Sequence, residues 1–269
     1  MKRVIALILA LVLATAAMFT LGACGKDAES DAAYITDKGE MIIGITIFAP
    51  MNYYDTDGTT LIGFETEFAK AVCEKLAITP KFQIINWTAK ETELNAKNID
   101  CIWNGMTIDA DRLESMSIST PYMQNKQVLV VKAENAGLTT VDGLKIAAEG
   151  GSAGANVIEN DAYFQNAEFI EVEDMAAALM EVAAGTSDGC VIDYVTSLGS
   201  IGAGTDYDNL VVVENAKFEL GNDEQYGIAF RKGSDMTEKV NAAISELVAD
   251  GTLASIAADY KLADQLIAK

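Results

Sequence analysis

The chain has 269 residues, half of them hydrophobic, with 40 acidic against 19 basic side chains and a formal charge of -21 at pH 7. So acidic a surface is repelled by phosphate backbones and anionic headgroups, which excludes nucleic acid as a partner and adsorption as the route to a membrane. Histidine is absent, which removes the commonest general base and the commonest transition-metal ligand, so no metal and no other cofactor is expected.

Lys2 and Arg3 open an N-terminal segment that is apolar over residues 4–21, reaches Leu21-Gly22-Ala23-Cys24 and turns polar at Gly25-Lys26-Asp27. A retained anchor helix wants about 20 apolar residues, and a plain secretory signal has no use for a cysteine directly after the small residues. The segment resembles a bacterial lipoprotein signal peptide over residues 1–23, cleaved so that Cys24 becomes the first residue and carries lipid. That places the rest of the chain outside the cell, anchored to the membrane. Residues 24–33 are small and polar and read as a tether, with the folded body beginning near Tyr34. About 245 residues then remain, close to the size at which one core stops growing and a chain divides in two. Cys73, Cys101 and Cys190 lack metal-like spacing and read as small buried hydrophobes. A Cys73 to Cys101 disulfide stays open as an alternative outside the cell.

In chain order, residues 41–47 form a continuous apolar run suited to a strand buried on both faces. Asp55-Thr56-Asp57-Gly58 is a turn. Phe64, Phe68, Val72 and Leu76 recur every four residues and give one apolar helix face. Residues 81–85 and 99–103 are further strands, with a helical stretch at 89–95 between them. A second series has strands at 127–132, 145–148, 169–172 and 189–192, helices after the glycine-rich turn Gly150-Gly151-Ser152-Ala153-Gly154 and over 174–184. Strand and helix alternate throughout, the mark of α/β units with largely parallel sheets. Residues 226–230 and helices at 236–250 and 253–260 are too few for a third unit and return to the first. Lobe 1 is thus 34–122 plus 227–269, lobe 2 is 127–222, and the chain crosses between them near 122–126 and 222–226, making a two-strand hinge.

Ligands in open α/β sheets bind beyond the carboxyl ends of strands. There the sequence places Phe48, Trp87, Asn104-Gly105-Met106-Thr107 and Arg112 in the first lobe, and Ser152, Ala153 and Asp193 in the second. Arg112 is one of three arginines beside sixteen lysines, which suggests a need for the planar fork that fits a carboxylate. The Thr107, Ser152 and Ala153 amides can complete the carboxylate's shell, while Asp193, the Gly105 carbonyl and a Thr107 oxygen accept from an ammonium. Phe48 and Trp87 then flank a side chain, with Asn104 and Lys90 near it. Each residue has a duller reading: Arg112 paired with Asp109 or Asp111, Asp193 capping the helix that begins at Tyr194, Phe48 and Trp87 as core. Their joint position at strand ends of two lobes favours a site for a free amino acid.

Several motifs in order carry a family resemblance. They are Gly63-Phe64-Glu65, Asn98-Ile99-Asp100, Gly105-Met106-Thr107-Ile108 with Arg112, Ser119-Thr120-Pro121-Tyr122, Gly151-Ser152, Asp188 and Asp193. Tyr226-Gly227-Ile228-Ala229, Arg231-Lys232-Gly233 and Asp250-Gly251-Thr252-Leu253 complete the series. The chain resembles the extracellular solute-binding proteins of family 3, polar amino-acid receptors that feed ABC importers. The resemblance implies an α/β, two-lobed type II periplasmic-binding-protein fold with two hinge strands. It also implies that Arg112 and Asp193 hold the α-carboxylate and α-ammonium, that Phe48 stacks on the substrate and that Trp87 stands opposite. Ala153 replaces a frequent serine or threonine. Thr46 stands where members that take basic amino acids are often acidic, which argues against arginine or lysine. Trp103-Asn104 replaces a smaller apolar pair.

The expected protein is a monomeric lipoprotein that captures a polar or sulfur-containing free amino acid and presents it to an ABC permease without making or breaking a bond. The alternative is an enzyme on the same fold, such as a cyclohexadienyl dehydratase-like lyase, which without histidine has to rely on carboxylates such as Glu149 or Asp193. A sensor needs a spanning helix and a partner domain that the sequence does not supply.

Overall fold

The computed structural model describes residues 30–214 and 220–268. The expected signal peptide over residues 1–23, the expected lipid-bearing Cys24 and residues 24–29 of the expected tether lie outside the described residues. Among the described residues no helix is long and apolar enough to cross a membrane.

The body starts earlier than Tyr34. Helix α1 (Asp31–Lys38) is capped by Ser30, whose hydroxyl accepts the Ala33 amide at 2.9 Å, and Asp235 from the far end of the chain accepts the Ala32 amide at 2.8 Å. Residues 31–33 are therefore helical and not tether: a serine cap and burial of Ala32 and Ile35 fix the first turn.

The strands are β1 (Glu40–Ile45), β2 (Tyr53–Tyr54), β3 (Leu61–Ile62), β4 (Thr79–Ile84), β5 (Cys101–Ile102), β6 (Met116–Ile118), β7 (Met123–Lys132), β8 (Lys145–Glu149), β9 (Glu168–Val172), β10 (Gly189–Asp193), β11 (Leu210–Val212), β12 (Leu220–Tyr226) and β13 (Ala229–Arg231). One sheet has the order β4-β1-β5-β13-β6, with β1 parallel to both β4 and β5. The other has the order β11-β7-β10-β8-β9, with β12 also paired to β7. These sheets are the cores of the two lobes. The turn at 55–58 joins the small hairpin β2-β3, where Asp57 accepts the Thr59 and Thr60 amides.

Two expected strands are shorter than their apolar runs. Within 99–103 the strand is Cys101–Ile102, flanked by the Asp100 amide bonded to the Ile42 carbonyl and the Trp103 amide bonded to the Gly44 carbonyl, while the Asp100 carboxylate accepts from Lys38 and the Ile42 amide. The run at 226–230 is divided: Tyr226 ends β12 and Ala229 starts β13, with Gly227 packed so tightly that a Cβ there would meet Ile118 at 2.5 Å. β7 runs unbroken from Met123 into the second sheet, and Gln124 and Gln225 face each other across the antiparallel β7-β12 pair, so the two segments expected to cross between the lobes lie side by side. Cys73, Cys101 and Cys190 are buried and free.

Candidate functional site

The lobes meet over a small enclosed pocket. From the first lobe it is lined by Trp87, Asn104, Gly105, Thr107 and Arg112, and from the second by Glu149, Ser152, Ala153, Met175 and Asp193. Its free volume is only about 10 Å³, and it sits behind an open cleft of about 850 Å³ whose rim includes Lys90, Asp109 and Glu224. So little space takes at most about one water; any amino acid enters only with the lobes apart.

The first-lobe wall hangs on the turn after β5. Gly105 has φ +54°, and a Cβ there would lie 3.0 Å from the Phe48 ring and 3.3 Å from Tyr226, so only glycine fits. Its amide donates to Glu65 Oε1 at 2.8 Å; the same carboxylate accepts the Tyr122 hydroxyl and, at 2.9 Å, Asn52 Nδ2. Burial pushes the Glu65 carboxyl up to about 7 against the pull of those bonds.

Arg112 lies in the short helix Ala110–Ser115, capped by Asp109, whose side chain accepts the Arg112 amide at 2.8 Å. Asp109 also pairs with Arg112 Nε at 3.2 Å, and Nη1 donates to the Thr107 carbonyl at 2.8 Å. The duller partner is thus present, but it takes one edge of the fork. Arg112 is 9% exposed and lines the pocket.

In the second lobe Ser152 caps the helix Ala153–Asn160, its hydroxyl accepting the Ala155 amide at 3.1 Å. The Ser152 amide is spent on the Glu149 carbonyl at 3.2 Å, so of the two amides expected to face a carboxylate, Ala153 is the one at the open helix start. Asp193 begins the helix Tyr194–Ser200 without capping it through its side chain. Its Oδ1 instead accepts Asn125 Nδ2 at 3.0 Å and Gln127 Nε2 at 2.5 Å. Burial raises the Asp193 carboxyl, while the Tyr226 hydroxyl, Gln127, Asn125 and the Arg112 charge pull it down. The Arg112 and Asp193 charges, from opposite lobes, therefore act on one another across the pocket.

Phe48 is placed apart from the others. It is 1% exposed, packs behind Gly105, and lines a groove on the far side of the lobe junction with Tyr53, Thr196 and Tyr207. Trp87 does line the pocket, with Lys90 Nζ 4.8 Å from its ring centre. Asn104 is occupied: Oδ1 accepts the Thr46 amide at 2.9 Å and Nδ2 donates to Thr46 Oγ1 at 2.7 Å.

The sequence profile of the bacterial extracellular solute-binding proteins, family 3, matches residues 41–263. The chain belongs to this family. Among relatives of this solute-binding protein, the L-cystine-binding protein TcyJ of Escherichia coli is 28% identical over 236 residues, covering 86% of this chain and 85% of that one. The arginine-binding extracellular protein ArtP of Bacillus subtilis is 26% identical, covering 91% and 94%. The crystal structure of an ABC uptake transporter substrate-binding protein from Streptococcus pneumoniae with bound histidine superposes with a TM-score of 0.76 at 29% identity, covering 87% of this chain and 96% of that one. The two-lobed type II periplasmic-binding fold is that of this solute-binding protein.

Sequence reasoning alone misses Glu224, Asn125 and Gln127, which the fold brings to the site, and gives Glu149 and Lys90 lesser parts than the structure does. Glu224 on β12 accepts Asn125 Nδ2 at 3.0 Å, Gln127 Nε2 at 2.8 Å and the Thr107 hydroxyl at 3.3 Å. Burial, with the Asp193 charge beside it, pushes its carboxyl up to about 7. Asn125 and Gln127 point inward from β7, an alternation visible in the sequence but uninterpretable without knowing what they face. Glu149 ends the apolar strand Lys145–Glu149 and meets the same strand-end rule that finds Asp193. It entered only as a carboxylate that an enzyme needs. Lys90, 7% exposed, donates to the Trp87 carbonyl and, across the lobe boundary, to the Gly151 carbonyl, both at 3.2 Å. Burial, then the nearby Arg112 charge, pushes its amine down to about 8.

Proposed function

We propose that this chain is the extracytoplasmic substrate-binding component of an ABC importer, taking a free polar or sulfur-containing amino acid between closing lobes and handing it to the permease. The observation that carries this reading is the meeting of Arg112 and Asp193, one from each lobe, in the wall of a single enclosed pocket. A guanidinium edge and the Ala153 amide complement an α-carboxylate; Asp193 and the Gly105 carbonyl complement an α-ammonium. Thr107, Ser152, Trp87 and Asn104 shape the walls between them, and Phe48 supports Gly105 from behind. Because the two charges come from different lobes, a zwitterion interacts fully only with the closed form, which is the differential affinity that ligand-driven closure requires.

The chain acts as a monomer held to the outer face of the membrane by lipid on Cys24, after removal of residues 1–23. This is supported by the sequence around that cysteine and by the extracellular character of the family. The deciding experiment is calorimetry with free amino acids on the purified protein and on Arg112→Ala. The wild type binds one or a few amino acids at micromolar strength, about -8 kcal/mol, and the folded variant binds none; full affinity in the variant overturns the reading. The buried Glu149 carboxyl, pushed up to about 8 by burial, is what a lyase on this fold would use as an acid. Recovery of the ligand unchanged after prolonged incubation separates receptor from enzyme.

A further inference from the structure

Building on the amino-acid-receptor reading, we infer that Glu149 receives the far end of the ligand's side chain and that this end carries a positively charged nitrogen, a guanidinium or an ammonium.

Glu149 is 2% exposed and lines the enclosed pocket, and its Oε1 has no hydrogen-bond partner among the described residues. A buried carboxyl oxygen left unpaired costs about 1 to 3 kcal/mol, more for a charged group, unless something arrives to satisfy it. The neighbouring groups show what can arrive. Thr46 from the opposite lobe faces this carboxyl, and its oxygen already accepts Asn104 Nδ2 at 2.7 Å, so its hydrogen is what it offers to Glu149. That leaves Oε1 for the ligand. Asp193 and Asp174 add negative charge around Glu149; of the cations nearby, Lys90 is held on the Trp87 and Gly151 carbonyls and Arg112 on Asp109 and the Thr107 carbonyl. A cation entering here therefore meets a carboxyl oxygen that neither of them occupies. An acidic side chain is repelled, and an aliphatic one leaves Oε1 unsatisfied. Trp87 and Met175, both in the pocket wall, offer apolar surface to the stem of a long side chain.

Thr46 in place of an acid consequently does not exclude a basic side chain. The acid is supplied by the second lobe, and Thr46 with Asn104 orients it from the first. The second ammonium of L-cystine satisfies the same chemistry as the side chains of L-arginine and L-lysine, and the experiment separates them.

Calorimetry on the mature chain with L-arginine, L-lysine and L-cystine is compared with the neutral isosteres L-citrulline and L-norleucine and with L-glutamine and L-glutamate. One of these three ligands, each of which carries a second cationic nitrogen, should bind at least about tenfold more tightly than all four comparison amino acids, which carry none, the scale of a charge-assisted bond. In Glu149→Gln that advantage should shrink to within about threefold. The wild-type ranking stands as a test even if the variant fails to fold. A neutral or acidic amino acid binding most tightly, or an undiminished preference in folded Glu149→Gln, overturns the inference while leaving the receptor reading intact. Binding of no amino acid at all overturns both.

Discussion

Asn125 relieves Asp193 of the role its position assigns to it. Asp193 stands at the start of a helix, where an aspartate ordinarily turns back to accept an amide of the first turn. Here Asn125 Oδ1 reaches from the hinge strand to the Val195 amide at 3.3 Å, while its Nδ2 donates to Asp193 Oδ1 at 3.0 Å. One side chain thus caps the helix and aims the carboxylate into the pocket.

Asn125→Ala removes both bonds and the one to Glu224, and the Asp193 side chain is then drawn to its own helix. The expected result is at least a tenfold loss of amino-acid affinity with a stability loss of only about 1 kcal/mol, the size of a cap. Calorimetry and chemical denaturation measure the two. A large loss of stability with affinity unchanged would show that Asn125 serves the fold and not the site.

Gly105→Ala places a methyl group 3.0 Å from Phe48 in a residue with φ +54°. A left-handed non-glycine residue costs roughly 1 to 2 kcal/mol before any clash, and the turn that carries Thr107 and Arg112 has to shift. We expect a lowered melting temperature and lost binding together. Full affinity in the alanine variant would mean that this turn is softer than its packing implies.

Gly199 lies against Pro50 across the lobe junction, where an added Cβ would be 2.7 Å from Pro50 Cδ, and Ser200 Oγ donates to the Ala49 carbonyl at 3.2 Å beside it. Gly199→Val should wedge the lobes apart at that point. Small-angle scattering should show no compaction on adding ligand, with affinity reduced and the circular dichroism spectrum preserved. Normal closure in the variant refutes this contact as part of the closed state.

Acid protects the ligand-free protein. Burial pushes the carboxyls of Glu65 and Glu224 from 4.5 up to about 7 and that of Glu149 to about 8. The folded state therefore binds more protons than the unfolded chain between pH 4.5 and 8, and stability falls as pH rises through that window. Asp57 and Asp250 work in the opposite sense. Their side-chain bonds, to Thr60 in the first case and to Thr252 and Lys75 in the second, lower them from 3.8 to about 2, so their contribution is present above 3.8 and lost on acidification toward 2. The melting temperature should peak near pH 4 to 5 and decline toward pH 8, with a shallower decline in Glu149→Gln. A melting temperature that climbs from pH 5 to 8 contradicts this account.

Much of this was legible before any coordinates. The four-residue spacing of Phe64, Phe68 and Val72 marks a helix whose buried face includes those residues together with Glu65, Thr66, Ala69 and Cys73, because periodicity is a local property. Gly105, Thr107, Arg112 and Asp193 could be singled out because strand ends are where α/β sheets expose side chains to ligands. Less local features were hidden. Helix α1 starts at Asp31 because Asp235, more than two hundred residues away, takes its Ala32 amide. Phe48 looks like a stacking aromatic in the sequence, yet its ring packs behind Gly105, since which face of a turn an aromatic covers depends on what the other lobe leaves open.

By itself the sequence determined the alternating architecture, the family and the pair of opposite charges suited to a zwitterion, since these rest on residue type, spacing and order along the chain. Only the tertiary structure decided that Asp193 is aimed by Asn125 and Gln127, that Glu65 holds the Gly105 turn, and that Glu149 stands buried with an unsatisfied oxygen in the same pocket. The reason is that the cost of a buried charge depends on which neighbours surround it, and those neighbours come from distant segments that fold alone brings within hydrogen-bonding reach.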